Sequence, residues 1–451
     1  MEADDLDLVT GNIAQSQSLI LRTTNMSATL APISGLPSEI SSQIFTHAAQ
    51  PLDCSRPFQQ HLEKHPLVAV SLVCTRWRGL AISMGSLWSH IHLEEYFFSN
   101  AYGSEARRWI ELWLKRSSGA PLSLRFERGA PGLSDLEPII SLLQPHIFKV
   151  TSLVFHESSE KLVRAILTLY GTCSPSIPLE TLAINYPVAT RETPKLKWPV
   201  DNIQGLRTLN LCRLPDSLVP SFDELEQMLL NSPGLYDLRV RRSDPILPRN
   251  NTRSKVKIPN VQVLEIECDA HAVLELLLSL LDPGKKQLYF LLKHPLPISP
   301  RYTQEILEFF ERANVVGLKL IKLGPESVTQ LSTYLDRLPR LQILHLDCMA
   351  HGNCAILDAL IVSGDGDKTR ARRPELMQLY ISNMLIDSEA QGKPKQIVVV
   401  HRLRRFVLAY GAVLTWSDPR GESESQDFLD WLRRHVPKSS YPLAEGGGVS
   451  S

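Results

Sequence analysis

The chain has 451 residues, of which 43% are hydrophobic and 21% charged, with Lys plus Arg equal to Asp plus Glu at 48 each. Balanced charge supplies no global field toward nucleic acid or an anionic membrane, so any such contact has to be local. The length implies two or three domains, and seven cysteines without paired spacing fit a reducing compartment better than a disulfide framework.

The first ten residues hold Glu2, Asp4, Asp5 and Asp7 and no basic residue, which does not suit a secretory signal. The most apolar stretch, 273–281, is broken by Glu275 and is too short to span a bilayer. No membrane contact is expected, and the expected location is cytoplasmic or nuclear.

Residues 1–33 are polar and weakly periodic and read as a disordered arm. Leu36, Ile40 and Ile44 then recur every four residues with Phe45 beside them, an apolar stripe on one helix face. Pro37 and Glu39 suit the first turn of that helix. Beyond a polar loop at 50–65, residues 67–80 carry Leu67, Val70, Leu72, Val73, Cys74, Trp77 and Leu80. These are too many apolar positions for one exposed face and predict two short helices packed on the first. A further helix is predicted at about 104–117 from Trp109, Ile110, Trp113 and Leu114.

From about residue 120 one phrase returns: apolar, two residues, apolar, one residue, apolar. Its central positions are 124, 153, 182, 209, 238, 264, 288, 318, 344, 379 and 406, with the copies at Leu124 and Leu288 the weakest. The steps lie mostly within about 20–29 residues, the leucine-rich-repeat range. Helix-compatible pieces such as 222–229 and 272–281 fall between the phrases, so each unit reads as strand, turn and helix. An ordinary α/β domain with buried parallel strands gives a similar pattern, but eleven recurrences favour a solenoid. No regular Asn marks the turns.

The segment Gly35, Leu36, Pro37, Ser38, Glu39, Ile40 through Ile44 and Phe45, with 67–81 around Cys74, Arg76, Trp77 and Arg78, resembles an F-box. The continuation at 86–91 and the later 113–124 are similar to a large fungal group of F-box proteins with repeat-like C-terminal regions. The resemblance implies an α/β fold class: an N-terminal helical F-box followed by an irregular leucine-rich-repeat-like α/β solenoid. The expected divisions are a disordered arm (1–33), the F-box (34–83), a helical linker (84–119), the solenoid (120–417) and a C-terminal helix with a flexible tail (418–451). It further implies a Skp-type adaptor and a cullin-RING ubiquitin ligase as partners, with Leu36, Pro37, Ile40, Ile44, Val70, Leu72, Val73, Cys74 and Trp77 as adaptor-binding or motif-core residues. Val73 and Trp77 serve equally well as filling for a small helical core.

On a solenoid the residues alternating with buried strand positions share one surface. That surface would hold Asn210, Asp237, Arg239, Arg241, Glu265, Glu267, Tyr289, Lys319, His345, Asp347, Tyr380 and Arg405. Of these, Arg239, Arg241, Glu265, Tyr289, Lys319, His345, Tyr380 and Arg405 are the candidates for binding an unknown protein substrate. The stretch 239–257 collects Arg239, Arg241, Arg242, Arg249, Arg253, Lys255 and Lys257 against Asp244, with Pro245 and Pro248 marking a loop. Such a cluster suits phosphate or an acidic partner, but no aromatic residues interleave with it, and nucleic-acid binding is not expected.

His345, Cys348, His351 and Cys354 have metal-binding side chains, and zinc takes four such ligands. They lack paired CxxC spacing and begin on a repeat strand, so no metal is expected. Residues 282–286 lack the glycine and Ser or Thr of a phosphate loop, and no G-x-S-x-G occurs. No cofactor and no enzymatic activity are expected. The remaining alternatives are a non-catalytic repeat scaffold in another complex and a nucleic-acid binder using the 239–257 loop.

Overall fold

The computed structural model describes residues 36–48, 66–94, 103–127, 136–173, 177–186, 194–243, 245, 255–268, 270–293, 300–323, 327–352, 354–361, 376–386, 392–409, 413–414, 431, 434–436 and 438–440. The expected arm at 1–33, the loop at 50–65 and most of the 418–451 tail lie outside the described residues. The chain divides into two compact units, Met1–Trp88 and Ser89–Ser451.

The first unit contains helices α1 (Ser38–Ala48), α2 (Pro66–Val73) and α3 (Thr75–Ser83), then a 3-10 turn at Gly85–Trp88. Cys74 separates α2 from α3. Its backbone is extended, and its Sγ accepts the Trp77 N–H at 3.4 Å, so the thiol caps α3 where Ser or Asp would usually stand. The interior is built on Phe45, whose ring meets Trp77 edge-on at 5.0 Å, with Leu67 and Ala81 fully buried. Trp88 donates its indole N–H to the Ala81 carbonyl at 2.8 Å. Arg76 donates to the Leu36 carbonyl at 3.0 Å, tying the entry of α1 to α3.

The second unit is a parallel α/β structure. Its strands are β1 (His90–Glu94), β2 (Leu122–Glu127), β3 (Val150–His156), β4 (Thr181–Asn185), β5 (Thr208–Cys212), β6 (Asp237–Arg241), β7 (Val256–Ile258), β8 (Val263–Glu267), β9 (Leu281–Pro283), β10 (Leu288–Lys293), β11 (Val315–Leu323), β12 (Ile343–Gly352), β13 (Gln378–Ile386), β14 (Arg405–Ala409), β15 (Val413–Leu414) and β16 (Lys438–Ser440). The intervening helices are α4 (Gly103–Arg116), α5 (Glu137–Leu143), α6 (Glu160–Thr172), α7 (Phe222–Leu230), α8 (His271–Leu280), α9 (Pro300–Arg312), α10 (Val328–Asp336) and α11 (Gly392–His401).

Strand order in the 14-stranded sheet follows chain order from β1 to β16; β7 and β9 form a separate pair, and β15 lies against β13. Every pairing is parallel. A sheet that grows in one direction through right-handed crossovers carries its helices on one face. Burial agrees: along β4 and β6 buried residues alternate with half-buried ones, so one face is covered and the other open.

The register aligns one residue per strand into a buried row: Ile91, Leu124, Leu153, Leu182, Leu209, Leu238, Leu264, Phe290, Leu318, Leu344, Leu379 and Phe406. None is more than 3% exposed. Two expectations are corrected here. The sheet starts at β1, inside the segment 84–119 expected to be a helical linker, because Ile91 and Leu93 bury against β2 as the later strands do. In β10 the row passes through Phe290 rather than Leu288. Leu288, Phe290, Leu291 and Leu292 are all apolar, so the phrase fits two phases, and only the pairing with Leu264 and Leu318 selects one. The steps of 24 and 30 around position 288 become 26 and 28.

Successive units are also clipped by asparagines that precede the strands. Asn202 donates its side-chain N–H groups to the carbonyls of Tyr170 (3.1 Å), Gly171 (2.9 Å) and Cys173 (2.7 Å) at the C-terminal end of α6. Asn231 donates to the Val200 carbonyl, Asn260 to Pro233 and Asn314 to Lys285, each at 3.1 Å. Each bond reaches back one unit to a carbonyl near the end of a helix or in a turn; that of Tyr170 also accepts from the Cys173 N–H. Lys149 does the same earlier in the chain, donating from Nζ to Ser117 Oγ at 3.1 Å and the Ser118 carbonyl at 2.6 Å.

Candidate interaction surfaces

On α1 the inward positions are Ser41 and Phe45, one turn apart, which turns Ile40 and Ile44 outward. Ile40 is 43% exposed, Ile44 38%, Leu72 45% and Val73 57%; Ile82 of α3 is exposed as well. Leu36 and Cys74 are half-buried, and Pro37 is exposed. Val70 and Trp77 lie in the interior. Six of the nine residues expected to bind an adaptor divide into two roles. Val70 and Trp77 hold the helices together, while Ile40, Ile44, Leu72 and Val73 leave apolar surface in water. Ile82 was not among the sequence-based candidates, since one apolar residue after Leu80 carries no periodic signal.

The open face of the sheet holds all eight substrate candidates. Arg239, Glu265, Lys319, His345 and Tyr380 fall in the row one residue after the buried row, and Tyr289 and Arg405 in the row one residue before it. Arg241 lies two residues beyond Arg239 on the same face. The face has two electrostatic zones.

On β6, β8 and β10 the charges are paired. Arg239 grips Asp237 with two bonds (2.8 and 2.9 Å) and lies 3.9 Å from Glu265; Arg241 lies 3.4 Å from Glu265. Arg242 (2.5 Å) and Lys293 (2.7 Å) both meet Glu267. Burial pushes the Glu267 carboxyl up, but the hydrogen bonds from Lys293 and Arg242 outweigh it and leave its pKa lowered. Three arginines of the 239–257 basic stretch are thus neutralised by carboxylates of the same and the next strands. Arg249 and Arg253 lie outside the described residues.

On β11 to β14 the arrangement differs. The His345 ring stacks on Tyr380 at 3.9 Å with 12° between planes, and the Arg405 guanidinium lies 5.3 Å from the Tyr380 ring centre. Tyr380 donates its hydroxyl to Gln378 Oε1 at 2.9 Å, fixing the ring. Burial, with the positive charges of Lys319 and Arg405, pushes the His345 pKa down to about 4, so the stack is neutral at neutral pH. Asp347 accepts from Ser382 (3.1 Å) and Asn383 (2.6 Å). Tyr289 is an exposed aromatic whose ring covers Gly317 of the next strand. A Cβ on Gly317 would fall 2.3 Å from Tyr289 Cδ1, so only glycine lets the ring lie there.

Cys348 is buried while His345 stacks on the open face. Among the described residues no group of three or more His, Cys, Asp or Glu is placed to hold a metal ion. No helix among them is long and apolar enough to cross a membrane.

No curated protein matches the chain. Residues 33–94 match the family model described as F-box-like, a segment that takes in α1, α2, α3, the 3-10 turn and β1. The match carries past position 83, where the sequence pattern had ended the motif, and well short of half the chain. The protein thus carries an F-box-like domain ahead of a large parallel sheet.

Proposed function

We propose that the protein is a non-catalytic substrate-recognition adaptor of an SCF-type cullin-RING ubiquitin ligase. The F-box binds a Skp-type adaptor, and an irregular leucine-rich-repeat-like solenoid of the kind found behind fungal F-boxes binds a protein substrate. The observation that carries this reading is the exposed set Ile40, Ile44, Leu72 and Val73 within the F-box-like segment. Apolar side chains in water gain about 1.5–3 kcal/mol each on full burial, so three or four suffice for a stable complex. The solenoid reading draws support from the one-directional sheet, the unbroken buried row and the inter-unit asparagine clips. The charge pairing of Arg239, Arg241 and Arg242 weighs against a nucleic-acid role for the basic stretch.

Co-purification of the full chain with a Skp-type adaptor tests the proposal. The wild type is expected to form a stoichiometric complex. The double substitution Ile40→Asp, Ile44→Asp is expected to weaken it by about a hundredfold or more, since two anchors at the stated energy are lost. These side chains already face water, so the melting temperature should stay within a few degrees. Absence of a complex with wild type, or an undiminished complex with the double variant, rejects the proposal.

A further inference from the structure

On the open face, Lys319 and Arg405 have no carboxylate partner among the described residues, unlike the arginines of β6. They flank the His345–Tyr380 stack, one on β11 and the other on β14. Between and beside them the outward rows carry Tyr289, Ile343 and Gln378 in one row and Leu291 in the other. Tyr289 is seated by the glycine beneath it, and Tyr380 is oriented by Gln378. The floor is therefore preorganised and bordered by two cations without carboxylate partners, with the carboxylate of Asp347 beside it already held by Ser382 and Asn383.

We infer that this strip takes an extended acidic segment of a partner protein, with an apolar or aromatic side chain on the His345–Tyr380 stack and carboxylates on Lys319 and Arg405. The spacing of the cations sets the register of the ligand. Their backbone positions stand three strand separations apart, about 14 Å at the usual 4.8 Å between strands, with a further offset of two residues along the strands. An extended chain advances about 3.4 Å per residue, so the two acidic residues sit four or five positions apart. The inference rests on the reading that the sheet recognises a protein substrate, and it names the chemistry of that substrate.

The test uses the full chain and fluorescent nonapeptides of Gly and Ser carrying one Phe between two Glu residues, with the Glu–Glu separation varied from two to seven positions. Binding is followed by anisotropy at low and moderate salt. The expected optimum is at four or five, weakening as salt screens the pairs. Replacing both Glu by Gln is expected to cost about tenfold or more, as is Lys319→Glu with Arg405→Glu, about one unit of 1.4 kcal/mol at the least. Arg207→Glu, on the exposed edge away from the strip, should change nothing. Equal binding of the Gln peptides, no dependence on separation, undiminished binding by the double variant, or tighter binding of phosphoserine peptides or RNA would each overturn the inference. Co-purification with a Skp-type adaptor is measured on the same double variant. The double variant is expected to keep that complex; a wild type that keeps it but binds none of the peptides rejects the strip alone, and a wild type that binds the peptides but forms no complex rejects the ligase reading alone.

Discussion

Replacing Asn202 by Ala should cost more stability than removing any other of the asparagine clips. Its amide nitrogen lies within 3.1 Å of three carbonyls at the end of α6, whereas Asn231, Asn260 and Asn314 each reach one. An amide has two N–H groups, so two of the three bonds form at full strength at once. A net hydrogen bond contributes about 0.5–1.5 kcal/mol, and a carbonyl left partly buried without a partner adds to the loss. The expected cost is about 2–3 kcal/mol for Asn202→Ala and about 1 kcal/mol for Asn260→Ala. Asn202→Asp is the sharper variant: it keeps the shape but places acceptor oxygens against carbonyls, and it should be at least as damaging. Urea unfolding gives the free energies, and hydrogen exchange at the backbone amides of residues 169–173 locates the loss, with those of α10 as internal control. Equal costs for Asn202→Ala and Asn260→Ala, or a neutral Asn202→Asp, would show that the clip geometry does not stabilise the junction.

Three further outcomes are expected. Arg213 holds a left-handed backbone with φ of 56° at the end of β5, so Arg213→Val should destabilise by more than about 1 kcal/mol, because a β-branched residue is strained there; thermal melting reads this. Gly317→Ala should lower stability by forcing Tyr289 off its seat, and Tyr289→Ala should rescue it in a double-mutant cycle. His345 takes up its proton only near pH 4 in the fold and near 6.5 when unfolded. Stability is therefore unaffected by this group above pH 6.5 and falls as pH drops from 6.5 toward 4. His345→Gln should flatten that part of the profile in denaturant titrations at stepped pH, and an unchanged slope would contradict the burial of the ring.

Much of the sheet was legible because its buried row is spelled in leucine: Leu153, Leu182, Leu209, Leu238, Leu264, Leu318, Leu344 and Leu379 each sit in a phrase whose alternation is that of a strand covered on one face. The failures have local causes. Around 288–292 alternation disappears, so phase was ambiguous until β8 and β11 supplied neighbours. β1 was hidden because its two histidines make a short segment look polar. Arg241 and Arg242 look uncompensated in sequence because their partners Glu265 and Glu267 stand one unit further along the chain, and Arg239 because Asp237 falls just before the 239–257 stretch. No regular Asn marks the turns, while Asn202, Asn231 and Asn260 recur before the strands at even steps of 29. In the F-box-like segment the residue types were readable, but the outward turn of Ile40 and Ile44 depends on Phe45 packing against Trp77.

The unbroken row from Ile91 to Phe406 also bears on how such a chain changes length. Cutting between equivalent points, such as Leu209 and Leu238, would remove one whole strand-helix module and leave two edges whose register still agrees. Duplication of the same module would be equally well tolerated at both joins. Module number can therefore drift without loss of the fold, and the number of strands on either side of any point on the open face changes in steps of one.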